Sequence, residues 1–436
     1  MRIQSVLVAT LAIGLAAAGP PESRLESYFR LRQEAAAAIR DQDLVKAEAL
    51  LEDALALYPE SPGSLIRLAR VEMAAGKPAE ALAHLTAYAD LGLTLDITRD
   101  SLLAPLAEAP DFAPVKARLE ASAAPTGAVT TIATLDRPGA IFEGLAWDGA
   151  SWLVSSVTDH TILRVRDGKP EPFLKADDGI GGLFGMAVDQ SAGVVWAAEA
   201  AGPDIPGSTG PARTAVLKIS LADGALIARY PLAEDGKPRQ LGDVTLGPDG
   251  TLYASDTIGA GLYRLKPGAA ALELLLQSSE MGSPQGMVAC GRDSLIVADY
   301  TTGLHRIDLA AGTEAPIGGA RAALAGTDGL FRIAFDFRMA NRSPLPLALM
   351  ATQNGVAPGR VVLLRISPDC RTLESWTAVA SGHDALDDMT LGAEGPSGPV
   401  VIGGGGWSGY GPDGKRRKGA APGSAALLGL ALPPGF

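Results

Sequence analysis

One four-residue phrase, written six times between Phe142 and Met389, constrains this chain more than any other feature. The copies read Phe142-Glu143-Gly144-Leu145, Leu183-Phe184-Gly185-Met186, Leu241-Gly242-Asp243-Val244, Pro284-Gln285-Gly286-Met287, Thr327-Asp328-Gly329-Leu330 and Leu386-Asp387-Asp388-Met389. Each opens a strand–turn–strand pattern, and their second residues lie 41, 58, 43, 43 and 59 positions apart. A strand-built repeat with a period of about 40 to 50 residues is the signature of a β-propeller. Six copies mean six blades. The third and fourth align without gaps, Asp243 to Asp256 against Gly286 to Asp299, with Pro248-Asp249-Gly250 and Gly291-Arg292-Asp293 as hairpin turns. Val129 to Leu135 is a strand without a blade, and pairing it with Ala425 to Leu432 would close the ring and remove an open edge.

In such a ring the start of each innermost strand faces the central channel. The second residues of the phrase then form one circle: Glu143, Phe184, Gly242, Gln285, Asp328 and Asp387. Glu143 and Asp328 offer carboxylate oxygens and Gln285 an amide carbonyl, a donor set suited to a hard divalent cation. Asp243 and either Asp387 or Asp388 stand at the equivalent entrances of blades three and six. Several acids at the mouth of a narrow channel repel one another unless a cation or a proton neutralises them. The run Gly403 to Gly406 before Trp407 marks a close backbone approach or a loop over the channel. His383, just before blade six, falls on the same face as the circle and is a candidate substrate contact, with plain surface histidine as the competing reading.

Ahead of the repeats, residues 22–120 read as helical. Leu44, Ala47, Leu50, Leu51, Ala54 and Leu55 follow the three- and four-residue spacing of a helix face. Ala47 and Ala81 are 34 residues apart, as are Leu51 and Leu85. Small residues at helix crossings with that period resemble the tetratricopeptide repeat, which implies a surface for a protein partner or a cap on the propeller. Residues 121–127, Ala-Ser-Ala-Ala-Pro-Thr-Gly, are the expected linker to a propeller spanning 128–436. The fold class is therefore an all-β six-bladed propeller preceded by a small all-α domain.

Residues 1–19 have the form of an export signal: Arg2, an apolar run from Val6 to Ala17, and small residues at Ala16 to Ala18. The run is too short for a membrane span, and a periplasmic or secreted location is expected. The net charge of −12 argues against nucleic acid as a partner. Cys290 and Cys370 are the only cysteines. They can pair in an oxidising compartment, but they fall in turns at different radii, and separate thiols are the expectation.

With these residues in view, the stretch from about residue 128 to 432 resembles the SMP-30/gluconolactonase/LRE-like family of six-bladed propellers. The resemblance rests on Glu143 in Phe-Glu-Gly-Leu and Asp328 in Thr-Asp-Gly-Leu, which match that family's metal-binding acids in order and blade. It implies a cation held by Glu143, Gln285 and Asp328, calcium first and Mg2+, Mn2+ or Zn2+ as other candidates. It also implies Asp328 or Asp243 as proton acceptor, while Asp387, Asp388 and His383 are, by their position on the same face, the candidate contacts for a small-molecule substrate. Two departures stand out: Gln285 replaces the family's Asn, and Gly242 replaces an Asn that contacts substrate. Phe184 occupies the place where paraoxonases carry a catalytic His. The reading is thus an exported, metal-dependent lactone or ester hydrolase, with a non-catalytic binding propeller of the NHL kind as the alternative.

Overall fold

The computed structural model describes residues 22–175, 179–334, 346–421 and 423–433. The expected export signal lies outside the described residues. Among the described residues no helix is long and apolar enough to cross a membrane.

The chain opens with helices α1 (Arg24–Arg40), α2 (Leu44–Leu57), α3 (Pro62–Ala74) and α4 (Pro78–Ala89), followed after short 3-10 turns by α5 (Ala113–Ala123). Ser23 starts α1 with a capping box: its hydroxyl accepts from Glu26 N–H at 3.1 Å, and Glu26 accepts from Ser23 N–H at 2.8 Å. Asp43 and Ser61 cap α2 and α3 by side-chain acceptance. Ala47, Ala81, Leu51 and Leu85 are fully buried. Their period of 34 reflects two helical hairpins stacked through small side chains, where a larger residue would overpack the crossing.

Six sheets follow, arranged as a six-bladed propeller. Their inner strands are Phe142–Trp147, Gly182–Asp189, Leu241–Leu246, Pro284–Cys290, Thr327–Arg332 and Gly392–Gly395. Val129–Leu135 pairs antiparallel with Ala425–Leu430 as the outermost strand of blade six, Val129 opposite Leu430 and Leu135 opposite Ala425. The apolar cores lie between blades. Val288 and Ile296 of blade four, for example, share a cluster with Leu330, Leu349 and Val362 of blade five.

The repeated phrase has a structural meaning in blades one to five: the pairing register slips there. Shifts fall between Phe142 and Leu145, Leu183 and Met186, Leu241 and Asp243, Pro284 and Met287, and Thr327 and Leu330. A bulge re-aims the side chain it carries, here toward the channel. In blades one, two, four and five the third place is glycine, because the next blade crosses it closely. A Cβ on Gly144 would lie 2.3 Å from the Phe184 carbonyl oxygen, and one on Gly286 would lie 2.4 Å from the Leu330 nitrogen. The sixth copy differs. It lies in the 3-10 turn Asp384–Leu386 and the loop after it, ahead of its strand, and Asp388 has a left-handed φ of 53°.

The helices are docked on blade five. Arg360, buried at the junction, donates from Nη1 to the carbonyl oxygens of Leu91 at 3.0 Å and Gly92 at 3.1 Å. Its Nε donates to Gln353 Oε1 at 2.6 Å, and its guanidinium lies 4.9 Å from the centre of the Trp376 ring. Buried charge is tolerable only with such a full set of acceptors. The stretch read as linker is itself structured: α5 runs to Ala123, and Thr126 N–H donates to the Ser381 carbonyl at 2.9 Å.

One expectation is overturned. Cys290 and Cys370 are disulfide-bonded, with their Cα atoms 6.4 Å apart. Cys370 sits in the turn between outer strands Arg360–Ile366 and Thr372–Ser381. That turn, with Cys370 at a left-handed φ of 61°, folds inward, and both cysteines join the core between blades four and five. The difference in radius expected from strand order is removed by the turn.

Candidate functional site

Glu143, Phe184, Gly242, Gln285, Asp328 and Asp387 all line one cavity of about 660 Å³ at the channel mouth. Asp243, Asp388, Tyr300, Asn354 and Trp407 are among the other residues of its walls. A second cavity of about 690 Å³, lined by Leu145, Met186, Val244, Leu330 and Phe331 among others, opens on the opposite face. Asp243 borders both.

Glu143 and Asp328 are each 8% exposed, and their surroundings oppose ionisation. Burial, then the Asp328 charge, raises the Glu143 carboxyl well above the ordinary range, although Trp407 Nε1 donates to its Oε2 at 2.5 Å. Burial pushes Asp328 up to about 6 against the hydrogen bond that Asn354 Nδ2 donates to its Oδ2 at 2.7 Å. Asp243 keeps some exposure to the channel but is enclosed by the blades around it. Burial pushes it up to about 8, opposed by the Val244 N–H at 2.8 Å. This is the cost of gathering acids in a channel of low polarity.

The remaining sequence candidates divide. Asp387 is exposed at the rim. The Asp388 carboxylate already has partners: Oδ2 accepts from Gly406 N–H at 2.9 Å and from Ser408 N–H and hydroxyl at 3.0 Å each. It holds the glycine loop flat against the wall, where a Cβ on Gly406 would meet the Ala140 carbonyl oxygen at 2.4 Å. The loop thereby carries Trp407 to Glu143 and to Phe184, whose ring lies 6.3 Å from the indole. His383 is not in the cavity. Its Nε2 lies 2.9 Å from the Thr126 carbonyl oxygen, so the imidazole is used on the segment joining the two modules. Gln285 lines the cavity, and its Nε2 donates to Ser283 Oγ at 2.9 Å.

Sequence reasoning passed over Asn354 and assigned Trp407 no role. Asn354 follows the strand Leu347–Gln353 directly, and no repeat or motif singles it out. Its Nδ2 donates to Asp328 and also to the Met389 carbonyl at 2.9 Å, while its Oδ1 is buried with no hydrogen-bond partner among the described residues. Among the described residues no group of three or more His, Cys, Asp and Glu side chains forms a metal cluster. The hard-oxygen donors lining the cavity include the Glu143 and Asp328 carboxyls and the Gln285 and Asn354 amides.

The tetratricopeptide repeat family model matches residues 38–91, within the helical segment. No curated protein matches the chain. Solved structures similar to it include a streptogramin B lyase at 15% identity, covering 70% of this chain and 98% of that one with a TM-score of 0.44. A luciferin-regenerating enzyme is similar at 15% identity over 70% and 97% of the two chains, TM-score 0.43. Regucalcin from Agrobacterium tumefaciens, a calcium-binding protein, is similar at 14% identity over 70% and 95%, TM-score 0.45. The chain is thus a six-bladed β-propeller behind a tetratricopeptide-repeat helical segment.

Proposed function

We propose that this chain is an exported, metal-dependent hydrolase of a small lactone or ester, of the gluconolactonase type. The observation that carries the reading is Glu143 and Asp328 lining one cavity, both carboxyls held above their ordinary range by burial. Such a pair calls for a cation or protons, and the Asn354 Oδ1, without a partner among the described residues and on the amide that meets Asp328, adds a third hard oxygen. Glu143 and Asp328 would hold the cation, which when bound supplies a Lewis acid for the substrate carbonyl. Proton handling falls to the protein. Asp328, at about 6, is ionised at neutral pH and can take a proton from the attacking water. Asp243, at about 8, is still protonated and can give one to the departing oxygen. Phe184 and Trp407 wall the cavity against bulk solvent. The Cys290–Cys370 disulfide supports an oxidising compartment, in keeping with the N-terminal export pattern.

Metal content and lactone hydrolysis measured on purified protein, with Asp328→Ala and Glu143→Ala alongside, test this reading. Each variant should lose bound divalent ion and at least about 100-fold in rate. Activity indifferent to both substitutions would sink it.

A second reading, a non-catalytic binding propeller with the helices as an interaction module, is favoured by one contact. Trp407 Nε1 donates to Glu143 Oε2 at 2.5 Å, so one oxygen of that carboxyl is engaged by the protein itself. A protein that retains a small ligand but turns over no lactone or ester would decide for it.

A further inference from the structure

Resting on the metal reading above, we propose that the amide oxygen completing the cation site is that of Asn354 on blade five, not that of Gln285 on blade four. Gln285 lines the cavity, but its nitrogen is tied to its own side of the ring. Its Nε2 donates to Ser283 Oγ, and that hydroxyl donates to the Thr257 carbonyl at 2.9 Å, so the chain of contacts runs to the seam of blades three and four. Asn354 is anchored to the acid pair itself. Its Nδ2 spans Asp328 Oδ2 on blade five and the Met389 carbonyl on blade six, and blade six in turn meets Glu143 through the Leu391 N–H at 3.2 Å from the Glu143 carbonyl.

The orientation of the Asn354 amide is not free. Both groups facing its nitrogen are acceptors only, so exchanging nitrogen and oxygen would set oxygen against oxygen twice. Oδ1 must therefore point the other way, where it is buried and no donor from the described residues reaches it. A buried amide oxygen without a partner forfeits the hydrogen bonds that it had in water. A cation shared with Asp328 and Glu143 supplies that partner, and all three atoms are hard oxygens of the kind such ions prefer.

The test is a binding measurement that does not depend on turnover. Ca2+, Mg2+ and Mn2+ are titrated calorimetrically, and Tb3+ is followed by luminescence sensitised through Trp407, the indole in contact with Glu143. The proteins are wild type, Asn354→Ala, Asn354→Asp and Gln285→Ala, with melting curves to confirm folding. Asn354→Ala should weaken cation binding about 10- to 100-fold. Asn354→Asp, which keeps an oxygen for the cation but sets its other oxygen against Asp328 and the Met389 carbonyl, should recover part of that loss, and Gln285→Ala should stay within about threefold. The proposal is overturned if Asn354→Ala binds like wild type, or if Gln285→Ala loses more. It is also overturned if Asn354→Asp is as weak as Asn354→Ala, because the amide then acts only by donating to Asp328. Wild-type protein that binds no cation would defeat the metal reading itself and this inference with it. Wild-type binding with the wrong variant order would defeat this inference alone.

Discussion

Blades one and five carry their acid in the second place of the repeated phrase, and blades three and six carry one in the third. The two places have different fates. Glu143 and Asp328 ride on bulges backed by Gly144 and Gly329, and both side chains enter the cavity. Asp243 turns back on its own strand to accept the Val244 N–H, and Asp388 is consumed by the Gly406–Ser408 loop. A shift of one residue thus separates acids on glycine-backed bulges from acids tied to backbone N–H groups, with Asp243 lining the cavity from its tied position. The glycine in third place is what makes the first outcome available, since it lets the neighbouring strand pass close enough to leave the acid no exit but the channel.

Filling that place gives the largest expected effect. Gly144→Ala puts a Cβ 2.3 Å from a backbone oxygen and should cost more than about 3 kcal/mol, whereas Gly318→Ala, which meets nothing within 4 Å, should stay within about 0.5. Melting temperatures of the pair decide it, and equal values would show that the crossing is not tight. Next in size is Cys370→Ala, which opens a link spanning 80 residues and should cost about 2–5 kcal/mol, a difference that vanishes when both proteins are melted under reductant.

Smaller effects separate the two third-place acids. Asp388→Ala removes three acceptances and should lower stability by about 1–3 kcal/mol while red-shifting the fluorescence of a loosened Trp407. Asp243→Asn should do the reverse in chelator-treated protein above pH 8. The folded Asp243 carboxyl holds its proton to about 8 and the unfolded one only to about 3.8, so its ionisation destabilises. Stability from this group is full below the unfolded value and is lost as pH rises to the folded one. Metal-free wild type should therefore lose melting temperature, by about 2–4 °C, between pH 5 and pH 8, and Asp243→Asn should lose less. Hydrolysis by the cation-loaded protein should rise with pH through a value below about 6 and fall through one below about 8, because a bound cation favours the ionised form of both acids. A rate flat across that range would break the assignment of Asp328 and Asp243 to opposite proton roles.

Much of this architecture could be read before any coordinate. The phrase, its spacing and its glycines are local: each bulge, hairpin and capping residue is decided within a dozen positions, and repetition makes even a weak local pattern visible. The same holds for Ala47 and Ala81, whose interval is that of a stacked helical hairpin. His383 shows the limit. Its position before blade six suggested the channel face, but the linker strand laid across Ser381 takes the imidazole first.

By itself, then, the sequence determined the number and order of blades, the closing strand and which side chains ring the channel, because these follow from periodicity. Only the tertiary structure decided how that ring is completed. Asn354 meets Met389 35 residues on, Trp407 meets Glu143 across 264, Cys290 meets Cys370 across 80, and Arg360 meets Gly92 across 268. Each contact pairs one residue with one other, outside any repeat. A periodic signal carries no record of such a pairing, since it is the folding of the whole ring that brings the two together.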